Sequence, residues 1–143
     1  IGALFYVWLA DFLADRGVSR LGLYKLGTAI SVAAFVAIAF DLVPAKMPLL
    51  MVYGFCSISA ALAYALLTRH FPPEMTGRVN TAANVAMFFV SFLCQFGIGV
   101  VLRMFAVVDG RYSPDGYTLA FGLIAAAQCA ALAWLLPMKE SAA

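Results

Sequence analysis

The feature that most limits what this chain can become is the stretch from Gly77 to Leu102, GRVNTAANVAMFFVSFLCQFGIGVVL, which carries no charge after Arg78. As a helix rising about 1.5 Å per residue it is long enough to cross a hydrocarbon core of about 30 Å. Asn80, Asn84, Ser91 and Gln95 interrupt its run of Leu, Val, Phe, Met and Ala. At about 100° per residue these four fall near 0°, 40°, 20° and 60°, on one narrow stripe. A polar stripe is costly in hydrocarbon unless it faces protein or water. The helix therefore has something to face, either a packing neighbour or a solute.

The composition points the same way. Of 143 residues, 65% are hydrophobic and only 11% charged, where soluble domains carry about a quarter. The net charge of +2, with no basic tract and no zinc-ligand spacing, argues against a nucleic-acid partner. Cys56, Cys94 and Cys129 lie in three separate apolar runs, without a pairing or metal-binding pattern, and read as small buried hydrophobes. The chain opens inside an apolar run, IGALFYVWLADF, with neither an initiator Met nor a basic leader. Residues 1–12 are expected to be the tail of a membrane helix, and the chain a fragment of a longer protein.

In order, the sequence predicts that partial span, then full spans at about 22–43, 47–68, 78–103 and 117–138. Charged or turn-forming segments separate them, notably LADRGVSRLGLYK, TRHFPPEMTGR and RMFAVVDGRYSPDGY. The fold class expected is all-α, a polytopic transmembrane helix bundle in contact with the lipid bilayer. Arg16, Arg20, Lys25, Arg69, Arg78 and Lys139 fall on one side, and Lys46, Arg103 and Arg111 on the other. By the positive-inside rule the first side, with the C-terminus, is cytoplasmic.

The span before the organising helix has its own stripe. Tyr53, Ser57, Tyr64 and Thr68 repeat the spacing of Asn80, Asn84, Ser91 and Gln95. The span through Val32–Phe40 has no polar side chain there, and Gln128 is the lone strongly polar residue inside the last span. The simplest sorting makes the two striped helices line an interior and turns the other two towards lipid. Stripe residues can act as interhelical glue. Tyr53 and Tyr64 are too bulky for close packing and suit a solute, so a polar cavity is the favoured reading. Its lining would be Tyr53, Ser57, Tyr64, Asn80, Asn84, Ser91 and Gln95. Asn84 and Gln95 lead, because a buried primary amide has four hydrogen-bonding sites to satisfy.

LADRGVSR, residues 13–20, resembles the Gly-x-Leu-Ala-Asp-Arg-x-Gly-Arg-Arg loop signature of the major facilitator superfamily. Asp11 stands at the signature's first Gly, and its later Gly and basic pair are compressed into Gly17, Val18, Ser19 and Arg20. FPPEMTGRVNTAANVAMFFVSFLCQFGIG, residues 71–99, resembles the loop and eleventh helix of bacterial members. YSPDGYTLAFGLIAAAQCAALAWLL resembles their last periplasmic loop and twelfth helix. The resemblance implies part of the C-terminal six-helix half of that fold, from the end of helix eight to helix twelve, in a bacterial inner membrane. It implies that helices ten and eleven line the central cavity while nine and twelve are peripheral. It gives Asp15, Arg16 and Arg20 the role of a conformational-switch loop, whose charge pairs hold one state and release another.

The function expected is secondary active transport of a small polar solute by alternating access. The missing N-terminal half of the same polypeptide is the implied partner. Protons would be the coupling ion of a gradient-driven member, yet Asp11, Asp41 and His70 all sit at span ends, so coupling groups are expected upstream. No nucleophile–base pair, phosphate loop or metal cluster is present in the sequence, so an enzyme is not expected, nor a metal or cofactor. The rival reading is a non-transporting membrane protein, a sensor or assembly subunit, whose stripes serve only helix packing.

Overall fold

The computed structural model describes residues 2–108 and 110–139. The chain begins with helix α1 (Gly2–Ala14). Gly17, at φ 85°, reverses the backbone after it, and the Val18 N–H closes the turn on the Leu13 carbonyl at 3.0 Å. Two residues on, the Ser19 hydroxyl accepts the Gly22 N–H at 2.8 Å and caps helix α2 (Arg20–Ala39).

Helix α2 stops earlier than the predicted span. Asp41 adopts φ 52°, the Leu42 N–H bonds the Ala37 carbonyl at 3.0 Å, and the Asp41 N–H bonds Ile38 at 3.3 Å. These are the paired bonds of a Schellman turn, with Asp in the left-handed position more often held by Gly. Lys46 then meets the Asp41 carboxylate at 3.0 Å.

The next span is two helices, α3 (Lys46–Ser57) and α4 (Ala60–Thr68). A 3₁₀ turn at Pro73–Met75 leads into α5 (Thr76–Leu102), the longest element. The segment predicted as a loop forms a small antiparallel hairpin, β1 (Val107–Val108) with β2 (Arg111–Tyr112), turned by Gly110 at φ 73°. Helix α6 (Pro114–Leu135) closes the chain. Pro114 opens it, and the Ser113 hydroxyl accepts the Asp115 N–H at 3.2 Å.

Among the described residues four stretches are long and apolar enough to cross a membrane: Arg20–Ala39, Lys46–Thr68, Pro73–Leu102 and Pro114–Leu135. Large apolar side chains cover their outer surfaces, including Met51, Phe88 and Phe89. In water such a surface would aggregate; against lipid it is solvated. The protein is an all-α integral membrane protein in contact with lipid.

Helix α2 is the centre of the bundle, which corrects the sorting drawn from the stripes. In its apolar stretch 22% of residues are buried, against 6% in that of α5. It runs antiparallel to α6: Lys25 Nζ donates to the carbonyls of Leu136 and Met138 at one end, and Phe35 meets Phe121 edge-on at 6.2 Å towards the other. It runs antiparallel to α3 and α4 as well, from the Asp41–Lys46 pair, past Phe35 and Tyr53 at 5.6 Å, to Gly27 beside Ser59. The reason is that apolarity gives helices no preference for one another in lipid, where tails are as apolar as Leu; small residues do, because they let backbones approach. Gly27, Ser31 and Ala34 are buried on α2. A Cβ built on Gly27 would lie 2.5 Å from Ser59 Cβ and 2.5 Å from the Tyr6 hydroxyl.

Gly27→Ala is therefore expected to destabilise the bundle by about 1–3 kcal/mol through overpacking. Gly54→Ala and Gly97→Ala, where nothing lies within 4 Å of the added carbon, provide the comparison. Reversible unfolding in mixed micelles would measure all three, and the Gly27 variant should show the larger loss.

Candidate functional site

The stripe on the third span does not stay on one face. Between α3 and α4 the backbone tightens: the N–H groups of Ile58, Ser59, Ala61 and Leu62 bond carbonyls three residues back, at 3.2, 3.0, 2.9 and 2.9 Å. Each residue in such a turn advances about 20° further than in an α-helix, so four rotate the following helix by roughly 80°. Tyr53 and Ser57 on α3 consequently face α2 and α6, while Tyr64 on α4 faces α5.

At the α4–α5 contact the Tyr64 hydroxyl donates to Asn84 Oδ1 at 2.7 Å and lies 3.6 Å from Met87 Sδ. The two predicted stripes meet at this one bond. Thr68, one turn on, turns its hydroxyl back to the Tyr64 carbonyl at 3.0 Å. Asn80 Oδ1 is buried without a partner among the described residues. Ser91 and Gln95 are exposed. So is Asn84, on a helix whose remaining surface is almost wholly apolar. The structure thus brings Tyr64 and Asn84 together, partly buries Asn80, and leaves Ser91 and Gln95 uncovered by described residues.

Tyr53 and Ser57 join a different group. They line a cavity of about 440 Å³ between α2, α3 and α6, with Tyr24, Thr28, Ser31 and Gln128 among its other walls. The Ser31 hydroxyl donates to the Thr28 carbonyl at 2.9 Å and the Ser57 hydroxyl to the Tyr53 carbonyl at 2.7 Å. Gln128 Oε1 is buried with no partner among the described residues. Sequence reasoning noted Gln128 but assigned its helix to lipid, and it passed over Tyr24, Thr28 and Ser31. Their signal was present: spacings of four and three place them on one face of α2.

The loop between α1 and α2 holds a third group, and this one is charged. Arg20 bonds Asp11 Oδ1 at 2.7 Å, whereas the expectation paired the arginines with Asp15. Asp15 lies beyond the last turn of α1 and is exposed, so Asp11, one turn earlier, is the carboxylate at the start of α2. The Arg16 guanidinium sits over the Phe12 ring at 3.6 Å. The Asp11 and Arg20 side chains are 57% and 33% exposed, so the pair contributes only about 0–1 kcal/mol. His70 serves as a helix terminator, its Nδ1–H donating to the Leu66 carbonyl at 3.0 Å. The three cysteines are free. No group of three or more metal-ligating side chains is found among the described residues.

Compared with protein-family models, characterised proteins and solved structures, the chain matches none.

The Tyr64–Asn84 bond can be measured by a double-mutant cycle of Tyr64→Phe and Asn84→Leu. A coupling energy of about 0.6 kcal/mol, and no more than about 2, is expected for a hydrogen bond between membrane helices. Unfolding of the four variants in mixed micelles would give it.

Proposed function

We propose that this chain forms part of the wall of a secondary transporter, with the polar face of α5 lining the path of a small uncharged polar solute. The observation that carries this reading is the exposed stripe of Asn84, Ser91 and Gln95 on the most apolar surface of the molecule. Moving one amide from water to hydrocarbon without a partner costs about 4–8 kcal/mol. A packing hydrogen bond returns only about 0.6–2 kcal/mol. A stripe this polar is therefore stable against water or a polar counterpart and not against lipid. Because it is uncharged, it suits a sugar, a zwitterion or a polar amphipath better than an anion.

The family proposed is the major facilitator superfamily, on the loop and span motifs described above. In that reading α1 is the end of helix eight and the four membrane-length spans are helices nine to twelve. The other half of the transporter would supply the opposite wall and the proton-coupling groups. The excess of basic residues on the side of Arg16, Arg20, Lys25 and Lys139 supports a cytoplasmic C-terminus in this reading. This reading leaves no role for an enzyme.

A second reading has its own support. Tyr64 and Asn84 already satisfy each other, as they would in a sensor or assembly subunit whose polar residues are packing glue.

Cysteine accessibility separates the two. In full-length protein lacking Cys56, Cys94 and Cys129, cysteines placed at Asn84, Ser91 and Gln95 should react with a membrane-impermeant maleimide. Cysteines at Phe89 and Phe96, on the opposite face of α5, should not. Protection at all five positions would remove the transport reading and leave the packing one.

A further inference from the structure

We infer that Tyr64 fixes the amide of Asn84 as a hydrogen-bond donor, so that the α5 path selects neutral amphipaths carrying a carbonyl-type acceptor: an amide, an ester or a ketone. This rests on the reading of α5 as the lining of a solute path. It adds the class of solute, and a positioning residue that acts on the solute only through Asn84.

A primary amide is ambivalent. Its oxygen accepts, its NH2 group donates, and rotation of the side chain exchanges the two ends. On an open helix face Asn84 would offer either end to a solute. Tyr64 removes that choice. Its hydroxyl donates to Asn84 Oδ1 at 2.7 Å. Its other neighbour, Met87 Sδ at 3.6 Å, is a weak acceptor with no hydrogen to give, so the phenol hydrogen lies between two acceptors. The Thr68 hydroxyl is committed to the Tyr64 carbonyl and does not compete for Asn84. The two ends of a planar amide point in divergent directions. With the oxygen turned to α4, the NH2 group points away from it. That group makes no hydrogen bond with described residues, and Asn84 is exposed.

The rest of the stripe defines the body of the solute. Ser91 lies roughly 10 Å along the helix from Asn84, and Gln95 about 6 Å beyond. Ser57, Thr68 and Thr81 each return their hydroxyl to a carbonyl four residues back, whereas Ser91 makes no such bond with described residues. Its hydroxyl, like the Gln95 amide, is left to donate or accept. Between Asn84 and Ser91 the helix carries Phe88, 69% exposed. In order of depth α5 therefore presents a donor, an aromatic ring and two ambivalent groups. A neutral solute with an acceptor at one end and an apolar body beside it matches that order. A sugar would set its hydroxyls against the Phe88 ring. A zwitterion would bring two charges to a stripe that has none.

The test uses the full-length protein in lipid nanodiscs, lacking Cys56, Cys94 and Cys129 and carrying Ser91→Cys. Protection of position 91 from a membrane-impermeant maleimide is the readout. The probes are N,N-dimethyloctanamide, whose amide only accepts; octanamide, whose amide also donates; and n-decane, which does neither. They are compared at equal membrane concentration, and an octanoyl chain anchored at Asn84 reaches position 91. N,N-dimethyloctanamide should protect saturably and at least as well as octanamide, and n-decane should not protect. Tyr64→Phe frees the Asn84 amide to turn its oxygen outward and pair with both ends of a primary amide. The ratio of protection should then shift about fivefold towards octanamide, the worth of one hydrogen bond. General destabilisation would weaken both amides alike and leave the ratio where it was.

Octanamide protecting several-fold better while Tyr64 is intact overturns the inference, whatever becomes of the variant. So does a ratio that Tyr64→Phe leaves unchanged, or protection by n-decane equal to that of the amides. In these three cases position 91 still reacts when no probe is present, and the reading of α5 as a solute path survives. A position 91 that does not react at all overturns both.

Discussion

The contact on which the bundle depends is that of Gly27 with Ser59. Ser59 is only 2% exposed, and it stands at the tightened turn between α3 and α4. Gly27 is the one α2 position where the missing side chain makes room for both this turn and the Tyr6 hydroxyl. Three segments therefore converge on a single hydrogen atom. Close backbone approach of this kind is what membrane helices use where hydrophobic burial gives no preference between neighbour and lipid. Around it gather Tyr6, Ala10, Leu23 and Leu62, the small core formed by α1, α2 and α4.

The same turn decides how the polar residues are distributed. An uninterrupted helix would have presented Tyr53, Ser57, Tyr64 and Thr68 to one neighbour. The run of three-residue hydrogen bonds at 58–62 divides them. Half meet α2 and α6 around a cavity, and half meet α5 through Tyr64 and Asn84. Two sites of different character arise from one sequence periodicity. The first is a pocket with an unpartnered amide. The second is an exposed stripe on an otherwise apolar helix.

The charged loop shows a related division of labour. Gly17 and Ser19 within LADRGVSR do local structural work, one reversing the chain after α1 and the other capping α2. Arg20 reaches Asp11 across that turn. Because Asp11 is more than half exposed and Arg20 a third exposed, the pair is weak. Lys25, by contrast, is anchored on the carbonyls left open at the end of α6. It joins the first and last membrane-length helices at the end of the bundle that carries most of the basic residues.

The sequence by itself determined the membrane class and the existence of the four spans. Length and apolar composition suffice for this, since a backbone in lipid has few ways to satisfy its hydrogen bonds other than a helix. It also determined which residues are polar within those spans. It did not determine which helix is central. Stripe polarity pointed to α5, and the tertiary structure chose α2, because packing in lipid follows side-chain volume at Gly27, Ser31 and Ala34 and not hydropathy. Nor could periodicity find the turn at Ile58 and Ser59, since neither residue is a Gly or Pro breaker. A rotation of roughly 80° arises there from backbone bonds, which side-chain identities do not announce. That rotation, together with the close approach at Gly27, put Gln128, Tyr53 and the hydroxyls of α2 around one cavity.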